Sequence, residues 1–366
     1  MLLIINLFSL HVLMNLSEIL ADWYLQNKRN LPWRISHSPY KIWLSEIILQ
    51  QTRVEQGLAY YLKIIKNYPD IKHLANTPID EILKNWQGLG YYSRARNLHD
   101  TAKVIDNEYN GRFPEHYDEL LKLKGIGPYT AAAVASIAFN EPVAVVDGNV
   151  FRFLARYFGI YQPINSSVGK KNFHKVALSI LDHDNPGRHN QAIMEFGALQ
   201  CIPVNPDCMK CPLKSSCFAC KNHSVKELPV KVSKIPVRER YFNYLVITWG
   251  KKIFLKQRME DDIWKMLYEF PLIETREPVE EMFIVKSDEW QELFAESHGI
   301  KILNVSKVYR HHLTHQKIIT RFFRLKIDIP SVNLHRKYIQ TDIDRIPEYA
   351  VSRLTERYMT DTNLIK

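Results

Sequence analysis

Three observations predict a mainly α-helical domain followed by a smaller α+β domain. Apolar residues recur at helical spacing from residue 15 to about 220. A basic stretch with two prolines, "KNHSVKELPVKVSKIPVRER", then breaks the pattern and reads as a linker. Beyond it, β-branched and aromatic runs take over.

The first element holds Leu16, Ile19, Leu20, Trp23 and Tyr24 at helical spacing. Asn15 with Glu18 three residues on reads as its capping box. The preceding "MLLIINLFSLHVL" lacks a basic leader and a cleavage site and is too short to span a bilayer. Met14 is the expected start, and residues 1–13 an extension outside the core. "SPYKIWLSEIILQQTRVEQGLAYYLKII" opens a helix with Ser38 as cap and Pro39 at its first position. "HYDELLKLKGIGPYTAAAVASIAF" reads as helix, glycine hairpin, helix. In the second domain a strand hairpin turns near Gly250, and "HQKIITRFFRLKI" is a further strand. Helices are expected from Ser287 to His298, stopped by Gly299, and from Pro347 to Tyr358. The expected domains are 14–220 and 239–366, joined by the linker 221–238.

The chain has 366 residues, 46% of them hydrophobic, and a net charge of +10. That balance points to a polyanionic partner, nucleic acid before an anionic membrane surface. Five cysteines in a chain of this size do not make a disulfide framework. Four of them crowd into "CIPVNPDCMKCPLKSSC" as Cys201, Cys208, Cys211 and Cys217, which reads as a metal site in a reducing cytosol. A short loop wrapping an iron–sulfur cubane suits one C-x-x-C flanked by two single cysteines; zinc is the alternative. Cys220 falls outside the pattern and reads as an ordinary cysteine.

Three further motifs carry chemistry. Gly125 and Gly127 allow a tight turn between helices, whose backbone N–H groups can grip a phosphate; the plainer reading is a common helix–helix turn. Asp147, after the extended "EPVAVV", is a good N-cap, and a carboxylate at a helix N-terminus is kept ionised by amides and dipole. Glu46, surrounded by apolar residues in "IWLSEIILQQ", should have a raised pKa and can serve as a general acid. A buried glutamate of this kind is, taken alone, more often paired with an arginine.

Together these four motifs resemble the helix-hairpin-helix DNA glycosylase superfamily, over about residues 15–220. The cysteine spacing is that of the 4Fe–4S loop in its endonuclease III and adenine glycosylase branches. The resemblance implies a two-lobed helix-hairpin-helix domain with the cluster loop, followed by a Nudix-like domain. The endonuclease III branch is bifunctional and carries a Schiff-base lysine just after the second hairpin glycine. Tyr129 stands there, and a phenol forms no imine. "LPWR", "SEIILQQTRV", "GLGYYSRARNLH" and "VDGNV" resemble the adenine DNA glycosylases of the MutY type. The alternative is an endonuclease III-like bifunctional pyrimidine-damage glycosylase and AP lyase.

What the resemblance implies is specific. Glu46 protonates adenine, Asp147 stabilises the sugar cation, Tyr129 and Asn149 line the pocket, and Glu195 supports it. Arg34, Gln51, Thr52, Tyr91, Gly125 and Gly127 contact DNA. Leu313, Thr314 and His315, in "HHLTHQ", stand where the family reads 8-oxoguanine with Phe-Ser-His. Cys201, Cys208, Cys211 and Cys217 bind a 4Fe–4S cluster. The partner is double-stranded DNA with adenine opposite 8-oxoguanine or guanine. The protein is a monomer of the bacterial cytosol and nucleoid, with no membrane attachment. The second domain lacks a glycine-started box of clustered glutamates, so it is expected to read rather than hydrolyse; Glu280 and Glu281 are a solvated patch.

Overall fold

The computed structural model describes residues 7–232 and 237–365, with side chains from Leu16 onward. By contact the chain divides into two units, Met1–Asn76 with Asn97–Ser233, and Thr77–Arg96 with Lys234–Lys366. The segment 77–96, expected to belong with its helical neighbours in sequence, groups with the C-terminal unit.

The helices up to the linker are α1 (Leu7–Asn27), α2 (Pro39–Leu49), α3 (Val54–Asn67), α4 (Ile71–Asn76), α5 (Ile79–Trp86), α6 (Ser93–Glu108), α7 (Tyr117–Leu120), α8 (Pro128–Phe139), α9 (Gly148–Phe158), α10 (Ser167–Ser179), α11 (Pro186–Leu199) and α12 (Phe218–Lys221). Asn15 does not cap α1, which already runs from Leu7. One asparagine inside a helix costs only about 0.5 kcal/mol, too little to stop an apolar run on both sides of it. Ser38 does cap α2, accepting from Lys41 N at 3.5 Å with Pro39 following. The expected helix before the hairpin is the single turn α7; after it, Leu123 N and Ile126 N close tight turns on Leu120 O and Leu123 O.

Leu16, Leu20 and Tyr24 of α1 share a core with Phe153 and Leu154 of α9, Phe173 of α10 and Phe196 of α11. Burying each such side chain stabilises the fold by roughly 1.5–3 kcal/mol. The part of α1 from Leu16 onward therefore closes one lobe together with later helices. The other lobe rests on α2, where Trp43 meets Phe113 edge-on at 5.4 Å. Between them lies α8, whose residues Ala131 to Ala135 are fully buried. Small side chains let α2 and α11 approach it closely, and this brings residues from three helices to one cleft.

The second unit is a sheet of β1 (Arg238–Trp249), β2 (Lys252–Gln257), β3 (Tyr268–Glu269), β4 (Leu272–Thr275), β5 (Lys301–Val305), β6 (Tyr309–His312), β7 (Gln316–Lys326) and β8 (Ile339–Asp342). The long strands β1 and β7 run parallel in register, Tyr244 opposite Phe322, with antiparallel strands on either side. Alternation divides their side chains between two cores. Phe242, Tyr244, Val246, Ile318 and Phe322 face one way, against Leu354 and Tyr358 of α16 (Arg353–Asp361). Leu245, Ile247, Phe323 and Leu325 face the other, against Ile284 of α13 (Glu281–Lys286), Trp290 of α14 (Asp288–Phe294) and Leu334 of α15 (Val332–Lys337).

The hairpin at Gly250 and the strand through 316–326 match the sequence pattern. Two helices are shorter than expected. α14 follows its Ser287 cap but ends at Phe294, because His298 pairs with Ile329 as a bridge. α16 starts after Ser352, whose Oγ accepts from Thr355 N at 3.1 Å, and Pro347 lies in a preceding 3-10 turn. No helix among the described residues is long and apolar enough to cross a membrane.

Candidate active site and cysteine loop

Glu46 lies on α2 among residues buried on nearly every side and is itself 9% exposed. Tyr129, in the first turn of α8, donates its hydroxyl to Glu46 Oε2 and also lies 3.7 Å from Met194 Sδ. Burial pushes the Glu46 carboxyl up to about 7, with the Asp147 charge adding and the Tyr129 bond and the Arg34 charge opposing. This carboxyl holds its proton near neutrality.

Asp147 is placed by the extended run before it. Asn190 pins that run, accepting from Val145 N at 3.1 Å and donating to Val143 O at 2.8 Å and Ser136 Oγ at 2.9 Å. Asp147 then caps α9. Its Oδ1 accepts from Asn149 N at 2.9 Å and Val150 N at 2.8 Å; its Oδ2 accepts from Asn149 Nδ2 at 2.7 Å. Burial raises its pKa, while these three donors and the Arg152 charge pull it back towards the ionised form. The positive end of α9 acts in the same direction. Glu46 has one hydroxyl donor where Asp147 has three N–H donors, so a proton shared between the two carboxyls resides on Glu46.

Asn149 is held in turn. Arg152 Nη2 donates to Asn149 Oδ1 at 2.9 Å and to Gly197 O at 2.6 Å, and Arg152 Nε to Cys201 O at 2.8 Å. α11 passes so close that a Cβ at Gly197 would sit 2.7 Å from Asn149 O.

Glu195 is 1% exposed and receives two arginines. Arg29 donates to it at 2.9 and 2.7 Å and Arg34 at 2.9 and 2.8 Å, which holds its carboxyl down at about 2. Arg34, expected at DNA, thus has its guanidinium on Glu195. Sequence reading missed Arg29, which makes the same contact 166 positions away, and a local pattern carries no trace of such a pair. It also missed Arg152, although Asn149 and Arg152 are one helical turn apart and that spacing was readable.

Glu46, Tyr129, Asp147, Asn149, Glu195, Arg34, Gln51 and Thr52 line one cleft of about 560 Å³. At its rim Gln51 adopts φ +57°. In the hairpin, Gly125 takes φ +77° and packs on α6, where a Cβ would meet Asn97 at 2.6 Å. Gly127 has no positive φ; it stands before α8 with open space where a Cβ would be, and no side chain caps the helix. Only one of the two glycines is therefore required for the turn.

The remaining expected residues lie in the second unit. Leu313, Thr314 and His315 form the turn between β6 and β7, closed by Leu313 N donating to Gln316 O at 2.8 Å. Leu313 packs against the core, and Thr314 and His315 are exposed. Tyr91, at φ +47° and 47% exposed, lies with its hydroxyl 3.0 Å from Thr314 Oγ1. The carboxylates of this unit near the sheet are already paired. Arg240 holds Asp262 and Glu274, each at 2.7 Å, and Arg258 holds Glu269 at 2.8 Å. Glu280 and Glu281 are exposed.

Cys201, Cys208, Cys211 and Cys217 line one pocket, walled by Phe153, Phe196 and Leu213, and none is in a disulfide. Arg156 of α9 fixes the loop, donating to Ile202 O at 2.7 Å and Pro203 O at 3.0 Å, and approaching Cys201 Sγ at 3.5 Å. Burial pushes the thiols of Cys208, Cys211 and Cys217 up, and the charges of their neighbours add to it. Four cysteines are the residue types an iron–sulfur cluster takes, and its cationic core would hold these thiols as thiolates, although the structure does not gather their sulfurs around one point. Among the described residues no group of three or more His, Cys, Asp or Glu side chains is placed to hold a metal ion.

A helical unit whose glycine hairpin falls between the two members of a buried carboxylate pair, in one chain with a strand-rich unit, defines a class, and residue matches agree with it. Residues 44–174 match the HhH-GPD superfamily of base excision DNA repair proteins, and residues 243–361 match the NUDIX domain. A thermostable thymine-DNA glycosylase superposes on 58% of this chain and 99% of its own, with a TM-score of 0.54 at 30% identity. An endonuclease III in a non-covalent DNA complex covers 58% of this chain and 97% of its own, with a TM-score of 0.50 at 22% identity, a likeness of fold.

The adenine DNA glycosylase of Buchnera aphidicola subsp. Baizongia pistaciae is 38% identical over 81% of this chain and 82% of its own length. That of Arabidopsis thaliana is 37% identical over 73% of this chain and 49% of its own. The chain belongs to the adenine DNA glycosylase family. It is a monofunctional DNA N-glycosylase that removes adenine in base excision repair.

Proposed function

We propose that this enzyme takes adenine paired with 8-oxoguanine or guanine out of duplex DNA and hydrolyses its N-glycosidic bond, leaving an abasic site. The observation that carries this reading is the pair Glu46 and Asp147 in one cleft: burial raises both carboxyls, Glu46 to about 7 with a single hydroxyl donor, while Asp147 has three N–H donors and the Arg152 charge pulling it back towards the ionised form.

The base must leave the stack before the enzyme can reach the bond. The basic surface gathers DNA, and the open backbone at Gly127 with the uncapped start of α8 receives a phosphate. Gln51 and Tyr91 enter the helix. Both hold left-handed backbone, and strain of this kind, on the order of 1 kcal/mol, collects at functional positions.

Adenine leaves poorly as an anion. Glu46 gives its proton to N7, and the sugar becomes an oxocarbenium ion as the bond breaks. Asp147, held by Asn149 and the start of α9, stabilises that cation or traps it covalently as retaining glycosidases do. Glu46, now ionised, takes a proton from the attacking water. Tyr129 steadies Glu46, and Glu195 with Arg29 and Arg34 makes a rigid wall.

Cys201, Cys208, Cys211 and Cys217 would hold a 4Fe–4S cluster. Hydrolysis needs no redox step, so a cluster held there would serve to fix the loop, whose exposed Lys210 and Lys214 approach phosphates. Leu313, Thr314 and His315 read the base opposite adenine. The protein acts as a monomer in the cytosol.

The test uses two labelled duplexes, adenine opposite 8-oxoguanine and thymine glycol opposite adenine, each with and without hot alkali. The expected result is cutting of the adenine strand after alkali only. Cutting of the thymine glycol strand without alkali would assign the endonuclease III type of chemistry instead.

A further inference from the structure

The loop between β2 and β3 is strained. Trp264 holds φ +58° and Met266 φ +66°, and a large side chain in left-handed backbone is uncommon. Strain of this kind persists only where the surroundings fix it, and it gathers at functional positions. Here four successive carbonyls are held. Ile263 O accepts from Arg258 Nε at 3.1 Å, Trp264 O from Leu267 N at 2.9 Å, Lys265 O from Arg96 Nη1 at 2.8 Å and Met266 O from Gln257 Nε2 at 3.1 Å. Met266 N donates to Arg258 O at 2.6 Å.

The loop presents the half-buried ring of Trp264. That ring meets Phe242 of β1 at a centroid distance of 6.1 Å and His311 of β6 at 5.7 Å. His311 stands two residues before Leu313, at one foot of the turn formed by Leu313, Thr314 and His315. The other foot is Gln316, the first residue of β7. Its Oε1 accepts from Arg240 Nη1 at 3.1 Å. The same guanidinium, 8% exposed, holds Asp262 of the loop at 2.8 and 2.7 Å and Glu274 of β4 at 2.7 Å. Asp262 is bound a second time, by Arg258 Nη2 at 2.9 Å. Arg238 N adds a tie from β1 to His315 O at 3.1 Å. Both feet of the turn thus rest on one loop, while Thr314 and His315 at its tip are exposed.

We propose that the loop 259–266 sets the turn for reading the base opposite adenine, with Trp264 and Asp262 as positioning residues. The inference rests on the reading that Leu313, Thr314 and His315 meet that base. 8-Oxoguanine differs from guanine by an oxygen at C8 and an N–H at N7, where guanine has an acceptor. Hydrogen bonds that tell the two apart need a reader held to within about 0.5 Å. Trp264 acts through His311, and Asp262 acts through Arg240 and Gln316.

The experiment uses the full chain and measures discrimination, the ratio of single-turnover adenine release opposite 8-oxoguanine to that opposite guanine. Trp264→Leu takes the ring away from His311, and Gln316→Met removes the acceptor of Arg240. Each is expected to lower discrimination several-fold, towards that of a variant with Leu313, Thr314 and His315 all replaced by alanine. Leu325→Val loosens the core on the opposite face of the sheet and is expected to keep the wild-type ratio.

A folded Trp264→Leu or Gln316→Met protein with wild-type discrimination, while the triple variant has lost it, would overturn the positioning role alone. So would a fall in Leu325→Val equal to theirs, since any loosening of the unit would then suffice. Wild-type discrimination in the triple variant would remove the reading by the turn and this inference with it. Should Trp264→Leu not accumulate as folded protein, Gln316→Met, at a half-buried position, decides the matter.

Discussion

Glu46 is the side chain whose proposed role as acid and whose effect on stability pull in opposite directions. Its carboxyl titrates near 7 in the fold against 4.5 for an ordinary glutamate. Between those values the folded protein holds a proton that the unfolded chain has released, so the contribution of Glu46 to stability falls as pH rises through that window. The loss amounts to about 3 kcal/mol once Glu46 is ionised. Glu46→Gln keeps the shape of the protonated form without the titration. The variant should release no adenine, bind DNA, and be more stable than wild type at pH 8 by up to about 3 kcal/mol, with little difference at pH 4. Denaturant melts at the two pH values check this.

Tyr129→Lys places an amine where the bifunctional branch has its lysine; borohydride should then trap some of the variant on DNA and none of the wild type. The burial of Glu46 and the helix cap at Asp147 were legible because each sits in a local pattern, an all-apolar helix and a cap. The Arg29–Glu195–Arg34 cluster was not, because it joins positions far apart in sequence.

Among the elements, α11 controls the most. It carries Glu195, supplies Asn190 to the run before Asp147, and passes Asn149 at Gly197. Gly197→Ala should push Asn149 off Asp147, destabilise the fold by roughly 1–3 kcal/mol, and lower kcat more than DNA affinity; single-turnover and binding assays separate the two.

α11 also buries His189, which contacts Ser17 Oγ at 2.9 Å and whose pKa is held down to about 4 by burial. The unfolded chain protonates this histidine near 6.5 and the folded one does not, so its contribution is lost as pH falls from about 6.5 to 4. Glu46 and His189 therefore oppose each other over nearly the same window, and the wild-type stability curve should be flat there. In Glu46→Gln the histidine is unmasked, and stability should rise with pH between about 4 and 6.5.

The helices and strands themselves were largely readable from period and caps. Their ends were misplaced where a pairing elsewhere in the chain decided them, as at His298, or where a helix passed through a cap-like residue, as at Asn15.

The chain as a whole is less divisible than its sequence suggests. The segment 77–96 belongs with the C-terminal unit, where Lys84 donates to Tyr349 O at 3.0 Å, Gln87 to Glu356 at 2.8 Å and Tyr92 to Val351 O at 3.3 Å. No local pattern could reveal this, since the partners lie more than 250 positions away. Deleting residues 236–366 would strip these partners and expose α5 with Trp86. The truncated chain should aggregate or melt early, so a loss of lesion discrimination in it would say little. Replacing Leu313, Thr314 and His315 by alanine leaves the sheet intact. It should slow adenine release opposite 8-oxoguanine towards the rate opposite guanine, as competing-duplex assays would show.

The two-carboxyl chemistry itself is tested most directly by the pH dependence of single-turnover adenine release from an 8-oxoguanine-paired duplex. With Glu46 as the acid, the rate should be level at low pH and decline above about 7, roughly tenfold per pH unit at the alkaline end. The Glu46→Gln variant should be inactive throughout. A rate that stays level past pH 8, or a variant that turns over at the wild-type rate, would contradict a proton delivered from Glu46.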